Sequence, residues 1–182
     1  ILNDSFGALS CGLEKFVPLT YTDSYVSARA IELNSDGCLR ATTLLSELSG
    51  VYDFALIRIP KNMSFFEDLL CELSGHLHAG SKVICGYMVK HQANAAFDLL
   101  DKYIGATGTS LAKKKARLIF ADFQKAPVVS PYPLRVPMDG FEKPYVNHSN
   151  LFSREKLDMG TRFLLEHIPQ GDYATILDLG CA

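Results

Sequence analysis

No stretch of this 182-residue sequence approaches the run of ~20 apolar residues that a membrane-spanning helix needs. No secretory leader opens it either. Residue 1 already sits inside an apparent strand, so the natural N-terminus is expected upstream, and a leader could have gone with it. Cysteine is scarce and scattered: Cys11, Cys38, Cys71, Cys85 and Cys181 contain no CxxC pair. That argues against a disulfide framework and predicts reduced thiols and a cytoplasmic location. Cys11, Cys71 and Cys85 lie in apolar surroundings and read as small core residues. Neither sign of charge dominates. A formal net charge of −2 and a pI near 6.2 exclude a general polyanion binder, so any nucleic-acid contact must come from a local patch.

What is present is the make-up of an ordinary globular protein, 48% hydrophobic and 21% charged. The length supports one domain plus a substantial extra segment. Apolar strands and amphipathic helices alternate. Residues 1–3 read as a strand end and Gly7 to Glu14 as a short helix. Val17 to Thr22 is a strand, and Ser24 caps a helix reaching Leu33. Leu39 to Leu44 is a short strand, and Tyr52 to Ile59 a clear one, stopped by Pro60. Phe65, Phe66, Leu69, Leu70, Leu73 and Leu77 recur at helical spacing and predict a helix from about Ser64 to His78. That stripe is core rather than a cofactor-contacting surface. Lys82 to Val89 is another strand, followed by a helix over Gln92 to Ile104 with Gly105 as its C-cap. Two closing strands, Thr107–Leu111 and Lys115–Phe123, have no helix between them.

Strand–helix alternation predicts an α/β fold with a mostly parallel, doubly wound sheet, one strand antiparallel at the end, as in class I methyltransferase-like (Rossmann-like) domains. Five of the eight prolines fall in Ala126–Pro144, which reads as a linker. Three parts are therefore expected: a domain over 1–125, a linker over 126–144, and the start of a second such domain over 145–182. In that last part Ser153 is expected to cap a helix from Arg154 to about Ile168, and Thr175–Leu179 to form a strand. The final Ile176-Leu177-Asp178-Leu179-Gly180 is echoed at the front by Ile1-Leu2-Asn3-Asp4-Ser5-Phe6-Gly7.

A doubly wound fold that holds a nucleotide-type cofactor needs bare backbone in the first turn and an acid after the second strand. The first unit keeps Asp4, Gly7 and Asp23. Phe6, Ala8 and Leu9 stand where glycines belong, and Phe6 is expected to fill cofactor space. Asp23 reads first as a strand-end turn acid beside a helix cap, and only second as a cofactor-binding acid. Arg58-Ile59-Pro60-Lys61 stands where a base-modifying amino-methyltransferase carries Asn/Asp-Pro-Pro-aromatic. The first unit therefore reads as a domain that kept its shape and lost its chemistry. Lys113, Lys114, Lys115 and Arg117 form a dense basic cluster, which reads either as phosphate contacts or as a charged strand edge. Arg58 and Lys61 read as a second phosphate-binding candidate or as a solvated turn. His76 and His78 flank Leu77 near a helix end and are expected to have no acid or cysteine partner, so no metal site is expected.

Asn147-His148-Ser149-Asn150-Leu151-Phe152-Ser153-Arg154-Glu155-Lys156-Leu157-Asp158-Met159-Gly160, just upstream of Asp178-Leu179-Gly180, resembles the bacterial rRNA guanine-N2 methyltransferases. The opening turn, the Asp23-Ser24-Tyr25-Val26-Ser27 turn, the Arg58-Ile59-Pro60-Lys61 turn and Lys114-Lys115-Ala116-Arg117 resemble the large-subunit (23S) branch more than its small-subunit (16S) sister. The resemblance spans nearly the whole chain. It implies a two-half enzyme with a cofactor-free front and a catalytic back that moves a methyl group from S-adenosylmethionine to a guanine amine of 23S rRNA. It implies that Phe152, Ser153, Asp178 and Gly180 border the cofactor in the second unit, and that no catalytic residue lies in this chain. The front half would position RNA or support the back half, in a full-length protein expected to be a monomer; this piece alone would tend to self-associate. A structural or protein-interaction module is the other expectation.

Overall fold

A computed structural model describes residues 1–91, 94–138, 142–152 and 156–179. The chain forms two compact units, Ile1–Ser130 and Pro131–Ala182.

The first unit is built on a sheet. β1 (Thr20–Tyr21) pairs in parallel with β2 (Ala41–Thr42), and β3 (Tyr52–Arg58) in parallel with β4 (Leu77–Met88). β6 (Ala116–Asp122) runs antiparallel between β4 and β5 (Thr107–Thr109). A single residue joins the two groups: Leu2 bridges both Tyr21 and Ile57 in parallel. Its N–H donates to the Leu56 carbonyl at 2.8 Å, and its own carbonyl accepts from Arg58 N–H at 3.1 Å. The spatial order is thus β2, β1, Leu2, β3, β4, β6, β5, with β6 the one reversed strand among them.

The helices follow their sequence signals. α1 (Ala8–Gly12) and α2 (Tyr25–Asn34) flank β1, and the Ser24 side chain caps α2 by accepting from Ser27 N–H at 3.2 Å. α3 (Met63–Ser74) starts on the Asn62 side chain, which accepts from Ser64 and Phe65 N–H. It buries Phe65, Phe66, Leu69, Leu70 and Leu73. α4 (Asn94–Tyr103) adds Ala96 and Leu100, and together these cover Ala55, Ile57, Val83, Cys85, Ile119 and Ala121 of the sheet. Gly105 follows α4 at φ 155, with its N–H on the Leu100 carbonyl; an added Cβ would lie 2.4 Å from the Asp122 carbonyl oxygen, so only glycine fits there.

Several boundaries differ from expectation. α3 stops at Ser74, not His78, because Leu77 is buried as the first residue of β4. The strand expected over 17–22 shrinks to two residues, since Glu14–Phe16 form a 3₁₀ turn and Val17 takes a left-handed conformation at φ 49. Residues 126–130 pack on the first unit: Val128 N–H donates to Ser74 Oγ at 2.9 Å, and Ser130 Oγ to Asp68 at 2.5 Å.

In the second unit β7 (Leu134–Val136) pairs antiparallel with β8 (Tyr145–Asn147). α5 spans Met159–His167, and Asp158 caps it by accepting from Thr161 N–H at 3.1 Å. The expected cap at Ser153 and helix start at Arg154 lie outside the described residues, and the helix itself begins five residues later than Arg154. Asp is as good a capping acceptor as Ser. Residues 175–179 are irregular rather than a strand. A strand needs a hydrogen-bonded neighbour, and among the described residues of this unit none runs beside them.

Candidate functional site

Open sheets of this kind bind ligands at the carboxyl ends of their parallel strands. In the first unit that edge carries the turn after Leu2, the turn after β1, and the ends of β3 and β4.

The first turn is held from within. Asp4 is buried, and one carboxylate oxygen accepts from Leu9 N–H (3.1 Å), Ser10 N–H (2.9 Å) and Ser10 Oγ–H (2.9 Å). Ser10 Oγ also meets Thr20 Oγ1 at 3.0 Å. All of this pins the turn to its own helix and to β1. Gly7 takes φ 80, and an added Cβ would sit 3.1 Å from Ile31 Cα, so its glycine serves a close approach to α2. Phe6 does not fill an interior space. Its side chain is 72% exposed while its carbonyl accepts from Asn34 Nδ2 at 2.7 Å. The turn's own backbone geometry directs the ring outward.

The edge is crossed instead by Arg58. Its guanidinium donates to Ser5 Oγ, and its carbonyl accepts from Asn3 Nδ2 at 2.8 Å. The turn after β3 is thereby tied to the first turn. Asp23 is exposed at the end of β1, next to the capping Ser24. The buried Tyr21 beside it has its phenol pKa pushed up by desolvation, with Asp23 and Asp68 adding to the effect.

The basic residues converge on this same edge. β6 begins where β4 ends, Ala116 opposite Met88 and Arg117 opposite Tyr87. Lys113 and Ala116 exchange both backbone hydrogen bonds at 2.9 Å, which makes Lys114 and Lys115 the tip of a two-residue turn. Both tip residues lie at positive φ, 49 and 65. Such a turn favours Asn-Gly, and two lysines there carry backbone strain. Val89 N–H donates to the Lys115 carbonyl at 2.9 Å, fixing the tip to the end of β4. Arg58, Lys61, Lys90, Lys113, Lys114 and Lys115 are all exposed. Arg58 lies two strands from β6, about 10 Å away. Arg117 is half-buried, and its Nε, like the facing Tyr87 hydroxyl, is buried without a hydrogen-bond partner.

One other group differs from the sequence reading. His78 does have an acid beside it: Nε2 lies 2.8 Å from Asp53, 25 residues away in sequence but adjacent across β3 and β4. The Asp53 bond, then the Ala79 carbonyl, raise the His78 pKa. Among the described residues no three such groups converge as a metal site. Cys71 and Cys85 are buried, and desolvation raises both thiol pKa values, which disfavours a reactive thiolate. In the second unit Phe152 is exposed and Asp178 lies in irregular chain; Ser153 and Gly180 lie outside the described residues.

The sheet order and this edge define a class I methyltransferase-like fold. The solved 16S rRNA N2 G1207 methyltransferase of T. thermophilus, in complex with AdoMet and guanosine, overlays with a TM-score of 0.62 at 17% identity, over 80% of this chain and 40% of that one. The RLMG N-terminal domain family matches residues 1–125, and the methyltransferase small domain family matches residues 142–182. Curated relatives named ribosomal RNA large subunit methyltransferase G are 45% identical in Pseudomonas fluorescens Pf-5 and 42% in Ectopseudomonas mendocina, over all of this chain. The chain belongs to that family, and it spans about half (51%) of these relatives' length. No described helix is long and apolar enough to cross a membrane.

Proposed function

We propose that this chain is the front part of an S-adenosylmethionine-dependent enzyme that methylates the exocyclic N2 of a guanine in 23S rRNA, with the first unit positioning RNA rather than reacting with it. The observation that carries the reading is the gathering of Arg58, Lys61, Lys113, Lys114 and Lys115 on the one sheet edge where such folds bind ligands. Arg117 sits at the root of the same turn. A chain of net charge −2 has a cationic site there, suited to phosphates, whose contacts set register and orientation without reading sequence.

The first unit does not fit the methyl donor. Phe6, Ala8 and Leu9 replace the bare backbone it would lie against, and the Arg58 link to Ser5 crosses the edge it would enter. No catalytic step is assigned to this unit. Asp178, Gly180, Phe152 and Ser153 of the second unit are the residues that would border the donor, which supplies the methyl group when bound. The full-length protein is read as a cytoplasmic monomer.

Calorimetric titration tests the first point: the 182-residue chain takes up no S-adenosylmethionine, and micromolar uptake would sink the reading. A gel shift with 23S rRNA fragments tests the second. Binding at low salt is lost on joint replacement of Lys113, Lys114 and Lys115 by Ala, and each single replacement lowers the log–log salt slope by about 0.7 on single-stranded RNA. No shift at low salt would favour a structural module instead, a reading supported by the low net charge.

A further inference from the structure

Across β4 and β6 the register sets Val83 opposite Ala121, Cys85 opposite Ile119 and Tyr87 opposite Arg117. Directly opposed residues share a face, so these three pairs form one row on the side that α4 helps to cover. The first two pairs are apolar and buried. Tyr87 keeps to the same cover: its ring stands edge-on to Phe97 of α4, with centroids 6.3 Å apart. Yet the third pair breaks the row with a phenol and a guanidinium. It does so at the carboxyl end of β4, at the root of the lysine turn.

The fold uses neither polar group. Arg117 Nε and the Tyr87 hydroxyl are buried without a hydrogen bond, and among the described residues nothing pairs with the Arg117 guanidinium. Other cations of this unit have acids: Lys82 meets Asp122, Lys102 meets Glu67 and Arg29 meets Glu32. Lys113, Lys114 and Lys115 are exposed, so water can solvate them. A buried donor without a partner destabilises the free protein, and apolar side chains at 87 and 117 would relieve it while completing the row. Two neighbouring donors short of an acceptor suit an oxygen anion. A phosphodiester provides one: guanidinium N–H groups bind its oxygens in a fixed fork, and a phenol O–H adds a further bond. Both residues keep part of their surface in solvent, so a rotamer change of Arg117 opens the pair to the edge.

We propose that Tyr87 and Arg117 form an anchored subsite for one RNA phosphodiester, while Lys113, Lys114 and Lys115 supply attraction around it. The inference rests on the RNA reading above. It adds an uncharged hydroxyl, which fixes where the backbone sits and which attraction between charges alone would not need.

The test is binding of a 23S rRNA fragment to the full-length protein over a range of salt concentrations. Tyr87→Phe weakens binding at least about tenfold and leaves the log–log salt slope unchanged, since no charge is lost. Arg117→Lys does the same, because the charge stays and the fork goes. Combined, the two weaken binding about as much as either alone, since each leaves the same phosphate unanchored. Tyr87→Phe also keeps the thermal midpoint within about 2 °C or raises it, as loss of an unpartnered hydroxyl should. Unchanged RNA binding by Tyr87→Phe overturns the subsite. If joint replacement of the three lysines by Ala still weakens binding, the RNA reading survives that failure. A larger fall in midpoint overturns the subsite as well, because the hydroxyl then supports the fold. Inorganic phosphate that displaces RNA better than chloride at equal ionic strength, and loses this advantage in Tyr87→Phe, overturns it in favour of a free anion. Absence of RNA binding by the unsubstituted protein at low salt removes the RNA reading and the subsite together.

Discussion

The two units spend similar side chains to opposite effect. In the first, Phe66, Leu69, Leu70, Leu100 and Ile104 are wholly buried between helices and sheet. In the second, Phe163 is 63% and Ile176 83% exposed. Both stretches have apolar residues at fitting spacings, and α5 is as well capped as α2. What differs is the presence of a sheet to pack on. An amphipathic pattern names the face that must be covered; it does not supply the cover.

Core truncation separates the units most sharply. Phe66→Ala is expected to cost about 3–5 kcal/mol in denaturant unfolding, against less than about 0.5 kcal/mol for Phe163→Ala. Comparable losses would mean that α5 is packed in solution and would break the comparison. Asp4→Ala comes next, at about 1–3 kcal/mol, because the buried Ser10 N–H and the part-buried Leu9 N–H lose their acceptor. The capping residues sharpen the contrast further. Ser24→Ala is expected to cost about 1 kcal/mol of the same transition, and Asp158→Ala to leave it unmoved while lowering helical circular dichroism slightly.

The smallest effect is the pH response of His78. Its folded pKa is raised from the ordinary 6.5, chiefly by the Asp53 hydrogen bond. Protonation therefore favours the fold: the contribution is full below pH 6.5 and fades as pH rises through the raised value. The pair is exposed, so the slope of thermal midpoint against pH is slight, and Asp53→Asn should reduce it, leaving the smaller part due to the Ala79 carbonyl. A slope left unchanged by this substitution would assign the titration to another group.

Much of the first unit could be read from local signals. Phe54-Ala55-Leu56-Ile57 is apolar enough to be a buried strand in any context, and Ser24 and Gly105 sit where helix ends need them. Signals failed where distant residues decide. Leu77 continues the α3 stripe in sequence, yet pairing with Tyr52 draws it into β4. The same pairing sets His78 against Asp53, a meeting that no local pattern announces. Phe6 is expected to fill cofactor space because it stands where a cofactor-binding turn carries glycine; the Asp4 network and the Asn34 bond to its carbonyl shape the turn that leaves it outward. Arg58 and the lysines lie far apart in sequence, and only the β4–β6 register shows that they share an edge. The strand expected at 175–179 lacks the neighbours that would make it one.

Among the described residues, the short segment Ile1–Asn3 carries the backbone ladder between the β1–β2 piece and the four strands beyond it: Ile1 and Asn3 bond to Tyr21, and Leu2 bonds to Leu56 and Arg58. A fabric joined by one stitch parts along that seam before either panel frays. Under gentle denaturation α1, α2, β1 and β2 should peel away together, and their amides should trade deuterium earlier than those of β4 and β6.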